Sequence, residues 1–153
     1  MSIKEKLASI GLSLPVAAAP VAAYVPAVKS GNLVFTAGQL PVVNGKLVKE
    51  GKVGSDVSAE DAKELAQICA LNALAAISLV AELDQIERVV RVGGFVNCAP
   101  GFTAIPGVVN GASELLIKIF GDVNGKHART AVGVAELPLN APVEIEMVVQ
   151  LKN

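Results

Sequence analysis

KHARTAVGVAELPLNAPVEIEMVVQLK, residues Lys126–Lys152, decides how this chain is read. It has the pattern of two strands joined by the turn-forming run Leu137-Pro138-Leu139-Asn140-Ala141-Pro142, which predicts that the two strands pair. On the first strand, alternation puts Arg129, Ala131, Gly133 and Ala135 on one face and Thr130, Val132 and Val134 on the other. On the second, Val143, Ile145, Met147, Val149 and Leu151 share a face, and Glu144 and Glu146 take the opposite one. If each apolar row faces the core, Arg129 stands on the far side, over a floor of side chains no larger than methyl. A guanidinium over such a floor offers a small carboxylate a two-pronged donor and room to approach. An ordinary solvated sheet face with one surface ion pair gives the same pattern.

The run Arg129–Pro138 (RTAVGVAELP) followed by Val143–Glu146 (VEIE) resembles the C-terminal signature of the reactive intermediate deaminase (Rid) family, also called YjgF-like or L-PSP endoribonuclease. Upstream, Thr36–Val42 (TAGQLPV) is similar to that family's T-S-G-Q-I/L-P-V. The likeness covers most of the chain from about Tyr24 onward. It departs from the family pattern at three positions: Ala37 replaces a serine, Ala131 a cysteine and Gly133 an acid. All three changes reduce polarity or bulk, so the cleft should be wider and less polar.

Composition sets the outer bounds. A chain of 153 residues is most simply one domain, 1–153, with residues 1–20 as an N-terminal extension carrying a short helix. Hydrophobic residues make up 52% of it and aromatics only 3%, so its core must be built from Ala, Val, Leu and Ile. Thirteen basic residues against fourteen acidic ones give a net charge of −1, which predicts no strong field toward nucleic acid. Cys69 and Cys98 lie far apart and His127 is the one histidine, so no metal-ligand cluster of the usual kind is expected. Two early lysines and an Ala-x-Ala pattern imitate a secretory signal, but Glu5, Pro15 and Pro20 interrupt it, and a cytoplasmic location is expected.

In chain order, residues 2–11 have the spacing of a short amphipathic helix ending near Gly11. Val21–Val28 and Leu33–Ala37 are expected to pair around a Lys-Ser-Gly-Asn turn, and Asn44-Gly45 marks a second hairpin. Ser58 caps a long helix from Ala62 to about Ala81, whose wide apolar arc predicts burial by a sheet and by a neighbouring subunit. Ile86–Asn97 forms a further strand, with a bulge or close backbone approach at Gly93-Gly94. A second helix runs from Pro106 to Phe120 and is stopped by Gly121. These elements predict an α+β class with one mixed sheet and two helices on one face. The resemblance sharpens that expectation to the chorismate-mutase-like fold, with three subunits packing their sheets into a barrel and ligand clefts at the subunit boundaries.

Carried over residue by residue, the resemblance makes Arg129 the grip on a substrate carboxylate and Glu144 the acidic site position. It makes Tyr24 the residue that closes the cleft, Phe95 an apolar wall, and Ala37 and Ala131 the places of the missing serine and cysteine. The implied reaction is hydrolysis of reactive 2-imino or enamine acids to 2-keto acids and ammonia, for which no metal or organic cofactor is required. The implied partners are a homotrimer and a small 2-imino or 2-keto acid, with no membrane and no specific nucleic acid. Two rivals stay open: a non-catalytic carboxylate-binding or regulatory module, and an endoribonuclease that inhibits translation, whose best support is His127. Chorismate mutase activity would rest on fold likeness alone.

Overall fold

The computed structural model describes residues 1–20 and 22–153. Helix α1 (Ile3–Ser9) opens on a reciprocal cap, in which the Ser2 hydroxyl accepts from Glu5 N–H and the Glu5 carboxylate accepts from Ser2 N–H. Its apolar residues Ile3 and Leu7 are buried. Strands β1 (Ala27–Ser30) and β2 (Leu33–Thr36) form the first hairpin. Strand β1 begins six residues later than the alternation predicts, since Ala22–Tyr24 bends ahead of Pro26; Val21 itself lies outside the described residues. At Asn44-Gly45 both residues adopt positive φ (51° and 78°), joining β3 (Val42–Val43) to β4 (Lys46–Leu47) as that dipeptide predicts.

Helix α2 (Ala59–Ile77) starts on Ser58, whose hydroxyl accepts from Asp61 N–H, and stops four residues short of the expected Ala81. Strand β5 (Ile86–Asn97) has the predicted bounds. Its bulges fall at Ile86–Arg88 and Val89–Arg91, whereas Gly93 and Gly94 are places of close approach. A Cβ on Gly94 would lie 2.5 Å from Val109 of helix α3 (Ile105–Gly125). Gly121, at φ 82°, breaks that helix where the sequence predicts, and one further turn follows. Strands β6 (Ala128–Val134) and β7 (Val143–Leu151) complete the chain's elements.

The five-stranded sheet has the order β1-β2-β7-β5-β6. Strand β5 is parallel to β6 and antiparallel to β7, so the sheet is mixed. The expected pairing of the last two strands is not made, because β5 lies between them. Both helices cover one face, where Val143, Ile145, Met147, Val149, Val89, Val92 and Val96 meet Leu74, Ile77, Val108, Leu115 and Leu116.

From Ala70 to Ile77 every residue of α2 is buried, and the cover comes from this chain itself. The sheet and α3 lie against it, Leu12 and Leu14 of the N-terminal segment pack on the core, and Asn72 Nδ2 donates to the carbonyls of Leu40 and Val42 at 2.9 and 3.0 Å. The apolar arc of this helix therefore calls for no neighbouring subunit. Among the described residues, no helix is long and apolar enough to cross a membrane.

Candidate functional site

The expected face of Arg129 is reversed. In register, Arg129 lies beside Val92, Ala131 beside Gly94 and Gly133 beside Val96, and these β5 residues belong to the helix-covered face. The small row, rather than Thr130, Val132 and Val134, therefore turns toward α3. The physical reason is its size. Strand β6 is the sheet edge nearest α3, and Ala131 packs on the core while a Cβ on Gly133 would lie 3.0 Å from Cys98 Sγ and 3.1 Å from Ile105. Valines there would hold the helix away.

Helix α3 engages the guanidinium directly. Arg129 Nη1 donates to Asn110 Oδ1 at 2.8 Å and to Ser113 Oγ at 3.2 Å, and Nη2 donates to the Pro106 carbonyl at 3.4 Å. Those contacts use three of the five guanidinium hydrogens, leaving Nε–H and one Nη2 hydrogen for another acceptor. Behind Ser113 stands His127, with Nε2 at 2.9 Å from the hydroxyl and Nδ1 at 2.7 Å from the Gly125 carbonyl. Burial holds the His127 pKa below its ordinary value; the Gly125 hydrogen bond opposes this and Arg129 adds to it. Asn110 and Ser113 escaped the sequence reading. Their spacing of three on one helix face was the available signal, but only the fold reveals which strand that face meets.

Glu144 lies on the opposite, open face of the sheet. There Phe95 is its neighbour in register, and beyond Phe95 lies Val132. The T-A-G-Q segment runs alongside: Gln39 exchanges backbone hydrogen bonds with Ile145 at 2.8 and 3.0 Å, and Thr36 Oγ1 accepts from Met147 N–H at 3.0 Å. Two motifs more than a hundred residues apart in sequence are thus side by side, and the contact explains one glycine. A Cβ on Gly38 would overlap the Glu144 carboxylate. Glu146 rests in the same way over Gly93, whose Cβ would come to 2.8 Å from it. Burial, with Glu146 next to it, raises the Glu144 pKa above the usual carboxylate value. Among the described residues, no hydrogen bond or ion pair reaches the Glu144 carboxylate.

The residues singled out from sequence thus fall into two groups. Phe95, Glu144 and the backbone of Ala37 lie at the open face, and the Ala37 N–H donates to the Pro26 carbonyl at 2.8 Å. Arg129 and Ala131 lie at the helix-side edge. Within one chain Arg129 and Glu144 do not face each other: Arg129 is level with Val92 and Met147, and Glu144 is three residues farther along β7, roughly 10 Å on the strand rise and on the other side of the sheet. Tyr24 is half exposed in the bend before Pro26. Among the described residues no cluster of three or more His, Cys, Asp or Glu side chains could hold a metal ion.

Comparison with known proteins bears on the family and the fold. Residues 4–151 match the family described as "YjgF/chorismate_mutase-like, putative endoribonuclease". The chain is 39% identical over 152 residues to Protein TCP17 of Trypanosoma cruzi, covering 99% of this chain and 95% of that one. It is 30% identical over 141 residues to the 2-iminobutanoate/2-iminopropanoate deaminase of Dermatophagoides farinae, covering 92% and 95%. Among solved structures, the Agrobacterium tumefaciens protein Atu1372, of unknown function, superposes with a TM-score of 0.89 at 42% identity, over 99% of this chain and 94% of the other.

Proposed function

The chain belongs to the YjgF (Rid) family and has its α+β, chorismate-mutase-like fold, and from that premise we propose that it hydrolyses reactive 2-imino acids in a cleft between subunits. The observation that carries the reading is the Arg129 guanidinium, held from one side by three neutral acceptors of α3 with two donors left over. Three neutral partners orient a cation without cancelling its charge, so a small carboxylate is its natural counterion. The deaminase named in D. farinae supports the same class.

Arg129 and Glu144 occupy opposite faces, so the composite site needs two copies: the β6 edge of one against the open face of the next. The open face suits such a neighbour. It exposes Val28, Phe35 and Val132 and holds two half-buried carboxylates. A homotrimer closes three such contacts around a ring.

In that cleft Arg129 takes the substrate carboxylate with its free donors and presents the C=N carbon to one water. Glu144 of the adjacent copy, with its raised pKa, accepts a proton as the water adds to that carbon. The same proton then goes to the nitrogen, giving a carbinolamine. Its hydroxyl proton follows through Glu144 to the nitrogen as the C=O forms and the C–N bond breaks, so both water hydrogens leave with ammonia and a 2-keto acid remains. Phe95 forms the apolar wall, Tyr24 the cover, and the small Ala37, Ala131 and Gly133 leave room for a larger side chain on the substrate. Chemistry of this kind asks for no cofactor. A ribonuclease has less support here, because both ring nitrogens of His127 are already engaged and the charge is balanced.

The test uses freshly generated 2-imino acids and follows ammonia release. Arg129→Ala should weaken binding of the stable analogue pyruvate by more than ~1.5 kcal/mol, the low end for a charge-assisted hydrogen bond. Glu144→Gln should abolish turnover and leave pyruvate affinity intact. A parent protein that binds pyruvate through Arg129 yet releases no ammonia is a binding module, and that result would reject the enzyme reading. Arg129→Ala with unchanged affinity and turnover would reject the site altogether.

A further inference from the structure

The geometry points to His127 as a positioning residue for Arg129, acting through the Ser113 hydroxyl. This inference rests on the carboxylate-capture reading and deepens it. A carbonyl can only accept, so the 2.7 Å contact to Gly125 places a proton on His127 Nδ1. In the neutral ring Nε2 is then an acceptor, and the Ser113 hydroxyl donates to it at 2.9 Å. With its single hydrogen committed, Ser113 Oγ turns lone pairs outward and receives Arg129 Nη1–H at 3.2 Å. Direction runs one way along the chain: guanidinium to hydroxyl, hydroxyl to imidazole, imidazole to carbonyl.

Each member is fixed by a different piece of backbone. Gly125 belongs to the last turn of α3, beyond the Gly121 break, and a Cβ there would crowd Ile117. His127 follows two residues later, immediately before β6, and Ser113 is on the regular part of α3. The relay therefore ties the exit of α3 back onto its middle and brings both to Arg129, the second residue of β6. Asn110 supplies the second acceptor for Nη1 and is itself one helical turn before Ser113.

Burial favours the neutral ring that this relay requires. So does the Arg129 cation beyond Ser113, while the hydrogen bond to Gly125 works against both. Lacking Ser113, Arg129 would keep its charge but lose one of the three acceptors that hold its fork. Carboxylate capture would then start from a broader set of guanidinium poses.

His127 is the only histidine, so its ring nitrogens give an unambiguous signal in 15N NMR. The intact protein should show the Nδ1–H tautomer near neutral pH; Ser113→Ala should keep it, since the Gly125 carbonyl still accepts from Nδ1, and should move only the Nε2 signal, which loses its donor. Pyruvate titration should show a dissociation constant raised about fivefold in Ser113→Ala, the equivalent of one neutral hydrogen bond. His127→Leu should match it. Ser113→Thr, which keeps the hydroxyl, and His127→Gln, whose amide can still accept from Ser113, should stay within about twofold of the parent.

An Nε2–H tautomer in the intact protein would overturn the inference without any variant. So would Ser113→Ala binding pyruvate as the parent does while Arg129→Ala loses it; carboxylate capture would then stand and the relay would fall. Pyruvate affinity untouched by Arg129→Ala would defeat the proposed function and this inference together, whatever the tautomer.

Discussion

The two faces of the sheet treat their charged residues in opposite ways. On the helix side, Arg129 is surrounded by acceptors drawn from a single helix, and its orientation is settled before any ligand arrives. On the open side, Glu144 is desolvated, has Glu146 as a like-charged neighbour, and finds no donor among the described residues. One charge is satisfied and aimed, and the other is left in want of a partner. Under the proposed function, one half of the site is built from local packing and the other is completed by a second copy. The difference also separates two kinds of glycine. Gly111 lets two helices touch, and Gly38 and Gly93 make room for carboxylates.

The largest effect should come from Gly111→Ala. A Cβ there would overlap the Lys63 carbonyl of α2, which is backbone and cannot swing aside. Separating the helices should cost about 3 kcal/mol and lower Tm by about 6–12 °C. Asn110 and Ser113 flank the site, so pyruvate affinity should fall as well. A Tm within about 2 °C of the parent would show that the α2–α3 contact is slack, and with it the claim that Arg129 is rigidly aimed.

Gly38→Ala should do less to stability and more to chemistry. The atom it displaces first is the mobile end of Glu144, so we expect less than about 1 kcal/mol in denaturant unfolding. Imine hydrolysis should nonetheless drop as in Glu144→Gln, because the carboxylate is pushed from its place. Full activity in Gly38→Ala would mean that the seat of Glu144 over that glycine is irrelevant to catalysis.

The smallest effect tests the unsatisfied charge itself. The folded-state pKa of Glu144 is raised above the ordinary carboxylate value, so the folded state holds this proton more tightly than the unfolded one. Its contribution to stability is therefore full at acid pH and declines as pH rises through the folded pKa. Glu144→Gln should raise Tm at about pH 8, by less than about 4 °C, and the gain should shrink as pH falls to well below the ordinary carboxylate value, where Glu144 takes up its proton. A lower Tm at pH 8 in the glutamine variant would mean that a donor pairs with Glu144 in solution.

Much of this comparison was legible in the sequence, and the illegible part has a definite cause. The alternation of Val143–Leu151 assigned Glu144 and Glu146 to one face and the core residues to the other, as the structure has them. Strand β5 was bounded correctly because its apolar run ends where loop residues begin. For Ala128–Val134, however, both rows are modest in size, and alternation alone does not choose which row a helix will cover. Apolarity favoured Thr130, Val132 and Val134; the close approach of α3 favoured Ala131 and Gly133. The pairing of β6 with β7 failed for a related reason. A turn between neighbouring strands predicts a hairpin, but insertion of β5 between them depends on contacts well outside that turn, with β6 as well as with β7. His127 could be named from sequence and not understood, since its role lies in Ser113 and Gly125.

Strand β7 is last of the strands in chain order, yet it lies in the middle of the sheet, between β2 and β5. During synthesis, therefore, the β1–β2 hairpin and the β5–β6 pair share no strand until β7 is made, and in each the edge that β7 covers, β2 or β5, is still bare. Assembly waits for Val143–Leu151 to thread between the two pairs and zip both ladders at once. Until then both edges offer unpaired backbone to any passing strand, and the nascent chain is at its most vulnerable to aggregation just before its final strand arrives.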